Sequence, residues 1–447
     1  MAKQISCTNN IIFVRCKICC MMALYWKSDQ MHKKMKKMIL ATIAVMALTA
    51  LTSCHGNLDR EEDNSYKPLS LTTRGAEYAA MGSSFSTTFI DKVQAVAETD
   101  YIISPLSMQF LLGMILDGAQ GETADEICRT LGYGQGEIKE VNEYCRQMLA
   151  QLPGLDKKTK LTIANAIVVD KGYPLLDQYK KDVTRYYDAE VSNLDFSQRK
   201  ASADKINEWC SDHTEGLIPE ILKETSPDML AYLLNAMYFK SKWSSPFHKD
   251  ATWKEDFHFG NGTTDKVQMM KAMREIRYQS GKMWTAVSLP YGNGSFSMNV
   301  FLPAEGKTVS DVTAALAAGD WNSVRSDFRY CKVDLWLPRF ETAYHITLND
   351  ILSGMGMPSA FDSAKADFKA MSQFALCLSF VNQDAVIKVD EEGTEAAVVS
   401  SAGMEKATAV PNPEPPIIFH ADKPFLYIIS EKSTGAILFA GRYGGNQ

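Results

Sequence analysis

The side chains that most often carry out chemistry form no recognisable catalytic motif in this chain. The sequence has no GxSxG elbow, no HExxH zinc motif and no phosphate-binding P-loop. Beyond residue 54 the histidines stand singly, at His55, His213, His248, His258, His345 and His420. An isolated histidine is more often a surface or core residue than a ligand. We therefore predict no catalytic residue, no metal site and no cofactor.

The segment 391–416 has the composition that points most clearly to a special role. It reads EEGTEAAVVSSAGMEKATAVPNPEPP and lacks aromatic residues from Gly393 onward. Strand-like sequence precedes it at 385–389 and follows it at 417–419 and 425–429. The tail after it is too small to fold alone, so the segment leaves and re-enters one folded unit. Loops of this length are usually functional or disordered.

The first half of this loop could become a β-strand. Between Thr394 and Ser401 there is no proline, and every side chain except that of Glu395 is small or β-branched. Alternate residues of a strand share a face, so Thr394, Ala396, Val398 and Ser400 would point together into a packed core. Two interpretations stay open at this point: a flexible surface loop, and a loop that can enter a sheet.

Helices are predicted early in the chain and strands later, which favours an α+β fold with a large, mainly antiparallel sheet. Ser104 and Pro105 are typical of a helix start, and Gly118 of its end. The predicted helical stretches are 106–116, one opened by a capping box at 123–126, 203–210, a turn and short helix at 214–222, and 348–354. The predicted strands are 235–239, 286–289, 297–302, 333–337, 385–389, 417–419 and 425–429.

The N-terminus is predicted to be a targeting segment. Residues 31–37 are basic, residues 38–53 are apolar, and Leu51-Thr52-Ser53-Cys54 resembles the lipobox of bacterial lipoproteins. The resemblance implies that 1–53 is upstream sequence and signal peptide, that Cys54 is lipidated, and that 54–74 is a polar tether. The expected location is the bacterial cell envelope, lipid-anchored at the outer membrane or cell surface. A transmembrane helix with a chance cysteine is the alternative.

Charge and cysteines limit the classes of partner. Residues 1–53 hold eight Lys or Arg and one Asp, so their removal takes the formal charge from −6 to −13. Such an acidic body argues against nucleic acid as a partner. The remaining cysteines are odd in number and widely spaced, which predicts buried thiols and no disulfide framework: Cys128, Cys145, Cys210, Cys331 and Cys377.

Several motifs, in order, resemble the serpin family over nearly the whole body. The strongest are Asn235–Trp243 (NAMYFKSKW) and Glu391–Ala397 (EEGTEAA). Supporting matches are Ile103–Ser107, Tyr291, Leu302-Pro303, Leu337–Phe340, Lys423–Phe425 and Ile437–Arg442. The resemblance implies a single serpin domain at 75–447, with N-terminal helices packed on a central sheet and an exposed reactive centre loop at about 391–416.

The resemblance also implies an activity, the inhibition of serine and, in some members, cysteine endopeptidases. A protease attacks the loop, and the cleaved loop then inserts into the central sheet and traps the acyl-enzyme. Counting along the family pattern places the scissile bond at Ala407-Thr408, which suits an elastase-like pocket, with Lys406 as a trypsin-like alternative. The expected partners are proteases and a membrane, and the protein is expected to be a monomer.

The hinge and the sheet gate follow from the same resemblance. The hinge comprises Glu391, Glu392, Gly393, Thr394, Glu395, Ala396 and Ala397. The gate residues that let the sheet open match Ser104, Ser107, Asn235, Trp243 and Gln383, and among them Trp243 matches the point of first insertion. The family often has a histidine where Gln383 stands, so we expect a working but altered gate. Ordinary polar packing in the core is the alternative for these residues, and a non-inhibitory serpin-fold protein that binds ligands or acts as a chaperone is the alternative function.

Overall fold

The computed structural model describes residues 63–226, 228–394 and 415–445, in which most helices precede most strands. The helices are α1 Thr73–Val96, α2 Pro105–Asp117, α3 Gly121–Leu131, α4 Ile138–Gln151, α5 Asp177–Tyr187, α6 Arg199–His213, α7 Val309–Ala318, α8 Trp321–Ser326 and α9 Asn349–Met355. The first strands are β1 Tyr101–Ile103, β2 Lys160–Asp170, β3 Ala189–Leu194, β4 Ala231–Lys242, β5 Thr252–His258, β6 Thr264–Ser280, β7 Trp284–Tyr291 and β8 Phe296–Pro303. The later strands are β9 Arg329–Pro338, β10 Phe340–Thr347, β11 Asn382–Val389, β12 Gly393–Thr394, β13 Ile417–His420, β14 Phe425–Glu431 and β15 Ile437–Tyr443.

The strands form two sheets. A six-stranded sheet has the order β10-β11-β12-β4-β2-β3, and a nine-stranded sheet has the order β1-β15-β14-β8-β7-β6-β9-β13, with β5 paired to β6. Every neighbouring pair is antiparallel except β2 with β3 and β9 with β13. The predicted α+β class with mainly antiparallel strands is therefore confirmed.

Helix α2 lies in the core and packs against β4 and β15, one strand from each sheet. Its start is the one predicted, because the Ser104 hydroxyl accepts a hydrogen bond from the Ser107 amide and Pro105 occupies the first turn. It ends at Gly118, as predicted. Every residue from Pro105 to Leu116 is buried, as expected for a helix that is apolar on all sides.

Two helix predictions were wrong in detail. Helix α3 begins at Gly121, and the Thr123 hydroxyl does not cap it but accepts a hydrogen bond from the Asp367 amide at 3.0 Å. Residues 214–222 form turns and no helix. The Asn207 side chain on α6 accepts hydrogen bonds from the Ile221 and Leu222 amides, which a helix would otherwise satisfy.

The chain from Asn64 onward forms one compact unit. Residues 64–72 have no regular secondary structure and lead into α1. None of the helices in the described ranges combines the length and the apolarity that crossing a bilayer requires. Cys54 lies outside the described residues.

The five cysteines of the body are free thiols. Cys128, Cys145 and Cys210 are buried, whereas Cys331 and Cys377 are half-buried. Burial raises the pKa of Cys128 to about 11 and that of Cys145 to about 12, so these thiols stay protonated and unreactive near neutral pH. The prediction of buried thiols holds for three of the five.

Candidate functional site

The six-stranded sheet is interrupted at its centre, between β4 and β11. Strand β4 pairs with β2 from Ala231 to Lys240, and β11 pairs with β10 along its full length. On the facing edges, the described chain supplies only the two-residue strand β12, in which Thr394 pairs with both Ser241 and Val389. Among the described residues, β12 is thus the only strand between the facing edges of β4 and β11, and we call the region between these edges the central gap.

A cavity of about 280 Å³ lies along the part of the central gap that is farther from β12. Its lining includes Asn235 on β4, Gln383 on β11 and Ser107 on α2. A second, smaller cavity of about 20 Å³ lies closer to β12 and is lined by Phe239, Ile387 and Thr394. The space below β12 thus continues in the direction that an extended β12 would take.

Gly393 allows β12 to approach β4 closely. A Cβ atom at this position would lie 2.0 Å from the Ser241 carbonyl oxygen, which no side chain tolerates. Thr394 follows, only 3% exposed, and its hydroxyl lies 2.6 Å from that of Tyr291. Of the predicted hinge residues, Gly393 and Thr394 thus form the two-residue strand β12 between β4 and β11.

Glu391 fixes the chain at the start of the predicted hinge. Its carboxylate is buried and accepts two hydrogen bonds from Arg339 Nε, at 2.8 and 2.7 Å, and one from the Thr252 hydroxyl at 2.5 Å. Burial by itself would raise the pKa of Glu391, but Arg339 and Thr252 outweigh it and hold the pKa below its usual value. We call Glu391, Arg339 and Thr252 the hinge anchor.

Glu392 and Trp243 complete the hinge end of the gap. Glu392 lies 3.5 Å from the Lys242 ammonium and 3.3 Å from that of Lys249. The Trp243 ring stacks on Tyr291 with centroids 4.4 Å apart, and its Nε1 donates to the Asp390 carbonyl at 2.8 Å. The structure thus brings Trp243 to the hinge and not to the other four predicted gate residues.

Those four residues lie together under the middle of the gap, and we call them the middle cluster: Ser104, Ser107, Asn235 and Gln383. The Gln383 amide accepts from the Ser104 backbone N–H and donates to the Ser104 carbonyl, both at 2.9 Å. The Ser107 hydroxyl donates to Asn235 Oδ1. Each bond joins a strand that borders the gap to the segment that begins α2.

Sequence reasoning missed the extension of this cluster through Asn165. Asn235 Nδ2 donates to Asn165 Oδ1 at 2.6 Å, and Asn165 Nδ2 donates to the Tyr187 carbonyl at 2.7 Å. The sequence contained a signal for this extension, because Asn165 is an amide inside the otherwise apolar run 163–169. A buried amide in a strand needs partners, which points to a polar network beneath that strand.

The remaining predicted site residues lie outside the described part of the chain: Glu395, Ala396, Ala397, Lys406, Ala407 and Thr408. Within the described ranges, no group of three or more His, Cys, Asp or Glu side chains is arranged to hold a metal ion. The described residues instead form a gap between β4 and β11 that β12 fills in part, with the predicted hinge at one end.

Comparison with known proteins agrees with this geometry. The family model described as Serpin (serine protease inhibitor) matches residues 80–444. A serine protease inhibitor of Cyanea capillata is 31% identical over 380 residues, which cover 81% of this chain and 97% of that protein.

Two solved structures share the fold. The thermophilic serpin tengpin in its native state is 26% identical with a TM-score of 0.76, covering 87% of this chain and 98% of tengpin. Human thyroxine-binding globulin with thyroxine is also 26% identical, with a TM-score of 0.74, covering 84% of this chain and all of that one. The fold therefore occurs both in an inhibitor family and in a hormone-binding protein.

Proposed function

Because the chain belongs to the serpin family, we propose that it inhibits serine endopeptidases, with cysteine endopeptidases as a second target class. The target cleaves the exposed loop and forms an acyl-enzyme, and the cleaved loop then enters the central gap as a new strand. The observation that carries the proposal is β12, whose Thr394 already pairs with strands on both sides of the gap.

The register at Thr394 supports insertion of the rest of the loop. Continuing it in the same antiparallel sense would place Ala396 between Phe239 and Ile387, and Val398 between Met237 and Ala385. Ser400 would then reach the middle cluster, beside Asn235 and Gln383. The inward side chains of the new strand are small or β-branched, as the space between the two strands requires.

Insertion of the loop would form new backbone hydrogen bonds along both edges of the central gap. Within the described ranges, no strand pairs with the gap-facing edge of β4 from Ala231 to Lys240 or with that of β11 from Asn382 to Lys388. At about 1 kcal/mol net for each backbone hydrogen bond, filling both edges contributes on the order of 10 kcal/mol. This is comparable with the whole stability of an ordinary domain. The proposal requires that this gain, together with burial of the inward side chains, exceeds the entropy cost of ordering the loop, so that the intact protein is the higher-energy state.

The test is incubation with an elastase-type and a trypsin-type protease. We expect a complex that survives SDS and a strong rise in melting temperature after loop cleavage. Cleavage of the loop by every enzyme tried, without complex and without a rise in melting temperature, would overturn the proposal in favour of a non-inhibitory binding or chaperone role.

The same experiment identifies the attacked bond. Mass spectrometry of the peptide released from the complex distinguishes cleavage at Ala407-Thr408 from cleavage at Lys406-Ala407. The first result indicates an elastase-like target, and the second a trypsin-like one.

The proposed location is the bacterial cell envelope, with a lipid anchor at Cys54 and the inhibitor displayed as a monomer. The support is the lipobox-like Leu51–Cys54 after an apolar run. Labelling with a radioactive fatty acid should mark the wild-type protein and not Cys54→Ala. Equal labelling of both proteins would rule out this anchor.

A further inference from the structure

The segment Asn64–Thr72 is docked on the folded body, although it precedes the residues that the family model matches. Leu69 is 8% exposed and belongs to the main core, and its amide donates to the Ser433 hydroxyl at 3.0 Å. The Tyr66 ring lies 4.1 Å from the Lys432 ammonium. Asn64 Nδ2 donates to Asp156 Oδ1 at 2.8 Å, while Asn64 Oδ1 accepts from the Lys157 amide. The segment is thus held by specific contacts at both ends.

Asp156 is a buried carboxylate in the connection between α4 and β2, and only 1% of it is exposed. Besides Asn64, its hydrogen-bond donors are the Lys158 amide at 2.9 Å, the Thr159 hydroxyl at 2.8 Å and the Asn293 amide at 3.2 Å. All four donors are neutral. Burial alone would raise the pKa of Asp156, but these donors outweigh it and hold the pKa below its usual value. The charge is therefore sustained by the complete set of donors.

Two hydrogen-bonded routes lead from Asp156 to the hinge. In the first, the Thr159 hydroxyl lies 2.6 Å from that of Ser241, whose backbone pairs with Thr394. In the second, Asp156 holds the turn between β7 and β8 through the Asn293 amide, and Tyr291 at the start of this turn reaches the Thr394 hydroxyl. The two routes meet at the residue that begins insertion.

The turn between β7 and β8 also touches Asp156 and β4 directly. A Cβ atom at Gly292 would lie 1.7 Å from Asp156 Oδ2, so the carboxylate sits against the turn backbone. The Gly292 amide donates to the Lys242 carbonyl at 2.8 Å. Asp156 therefore joins the start of β2, which moves with β4 because the two are paired, to a turn of the nine-stranded sheet.

We propose that Asp156 is a positioning residue for the hinge, and that Asn64 makes the segment 64–72 part of the device that controls when the central gap opens. The proposal rests on the proposed function, since opening of the gap matters only if the loop inserts. A tie between β2 and the other sheet resists the movement of β4 away from β11. Loss of the Asn64 donor leaves a buried carboxylate short of a partner and weakens that tie.

The test compares hydrogen exchange of backbone amides in intact proteins that carry Asn64→Ala or the isosteric Asn64→Asp. The peptides to follow cover 238–244, 289–296 and 390–394. We expect exchange about threefold faster in Asn64→Ala and about tenfold faster in Asn64→Asp, whose second carboxylate faces Asp156. Asn64 lies outside the hinge and the loop and precedes the first helix, so both variants should fold.

The matched control is Gln151→Ala. Gln151 exchanges two hydrogen bonds with the Ser70 backbone, so its loss loosens the same segment without removing a donor from Asp156. We expect hinge exchange within about twofold of wild type in this variant. Equal acceleration in the Asn64 variants and in the control, or no acceleration in any of them, would overturn the proposal.

Thr159→Val tests the route itself, because it removes the hydroxyl between Asp156 and Ser241 while keeping the side-chain volume. We expect faster exchange at 238–244 with the segment 64–72 unchanged, and unchanged exchange at 238–244 would refute this route. Exchange is measured without protease, so it judges the Asp156 tie even if the wild type traps no enzyme. Failure to trap would count against the proposed function alone.

Discussion

The hinge end and the middle of the central gap are held together by different kinds of interaction. At the hinge end, the hinge anchor pairs a buried carboxylate with Arg339, and Glu392 lies between two lysines. In the middle cluster, every bond joins neutral groups, such as the Gln383 amide with the Ser104 backbone and the Ser107 hydroxyl with Asn235. In the proposed mechanism, the loop is tethered at the charged hinge end, and the sheet opens over the neutral middle cluster.

The difference follows from the cost of breaking each kind of bond. Leaving a neutral buried amide or hydroxyl without a partner costs about 1–3 kcal/mol, whereas leaving a buried charge unpaired costs several times more. Neutral bonds can therefore be broken and remade as a strand enters. Ion pairs are costly to break, so they are expected where the structure does not move during insertion. In the proposed mechanism, that part is the start of the hinge at Glu391 and Glu392.

The largest expected effect comes from placing a charge on the entering strand with Thr394→Arg. Thr394 is 3% exposed and faces the core, where a guanidinium has no partner, so insertion should stall. The yield of SDS-stable complex should fall at least about tenfold, with the loop cleaved as an ordinary substrate. The yield is measured by titrating protease with inhibitor. Thr264→Arg, at an exposed threonine of β6, is the control and should trap normally.

The second effect is removal of the cation from the hinge anchor with Arg339→Ala. Glu391 would keep its buried charge without a cation, which should lower the free energy of unfolding by about 2–4 kcal/mol, since Arg339 is itself partly exposed. Chemical denaturation measures this loss. The double variant Arg339→Ala with Glu391→Gln should recover much of the stability. A double variant less stable than the single one would show that the pair is not the source.

Acid titration sharpens the same prediction. The pKa of Glu391 is lower in the folded protein than in the unfolded chain, so the unfolded state takes up the proton first. The stabilisation is complete above the unfolded value of about 4.3 and is lost as the pH falls through the folded value. The stability difference between wild type and Arg339→Ala should therefore shrink below about pH 4. A difference that stays constant in acid would contradict this account.

The smallest effect is expected from Gln383→Ala in the middle cluster. It removes two neutral hydrogen bonds and should lower the free energy of unfolding by about 1–3 kcal/mol while leaving protease trapping in place. Gln383→Glu keeps the acceptor for the Ser104 amide but sets a carboxylate against the Ser104 carbonyl, so it should be more destabilising than alanine. Melting curves show which of the two variants is less stable. A Gln383→Glu variant as stable as wild type would contradict the contrast between the hinge end and the middle cluster.

The local elements of the site were predictable because they depend on local chemistry. The start of α2 at Ser104 and Pro105 follows from capping and proline geometry, and the strands around the loop follow from β-branched runs. The helix expected at 214–222 failed because Asn207, a residue of another element, takes up its amides. Propensity does not register a partner that is distant along the chain.

The sequence by itself determined the fold class and predicted the hinge and gate residues, because glycine, small side chains and motif order are properties of the chain. Only the tertiary structure decided that Asn165 extends the middle cluster. It also decided that Asn64 reaches Asp156 across 92 positions of sequence. Those contacts depend on which buried polar groups come together in the fold. A buried polar group needs a hydrogen-bond partner, but the sequence around it does not show where along the chain that partner lies.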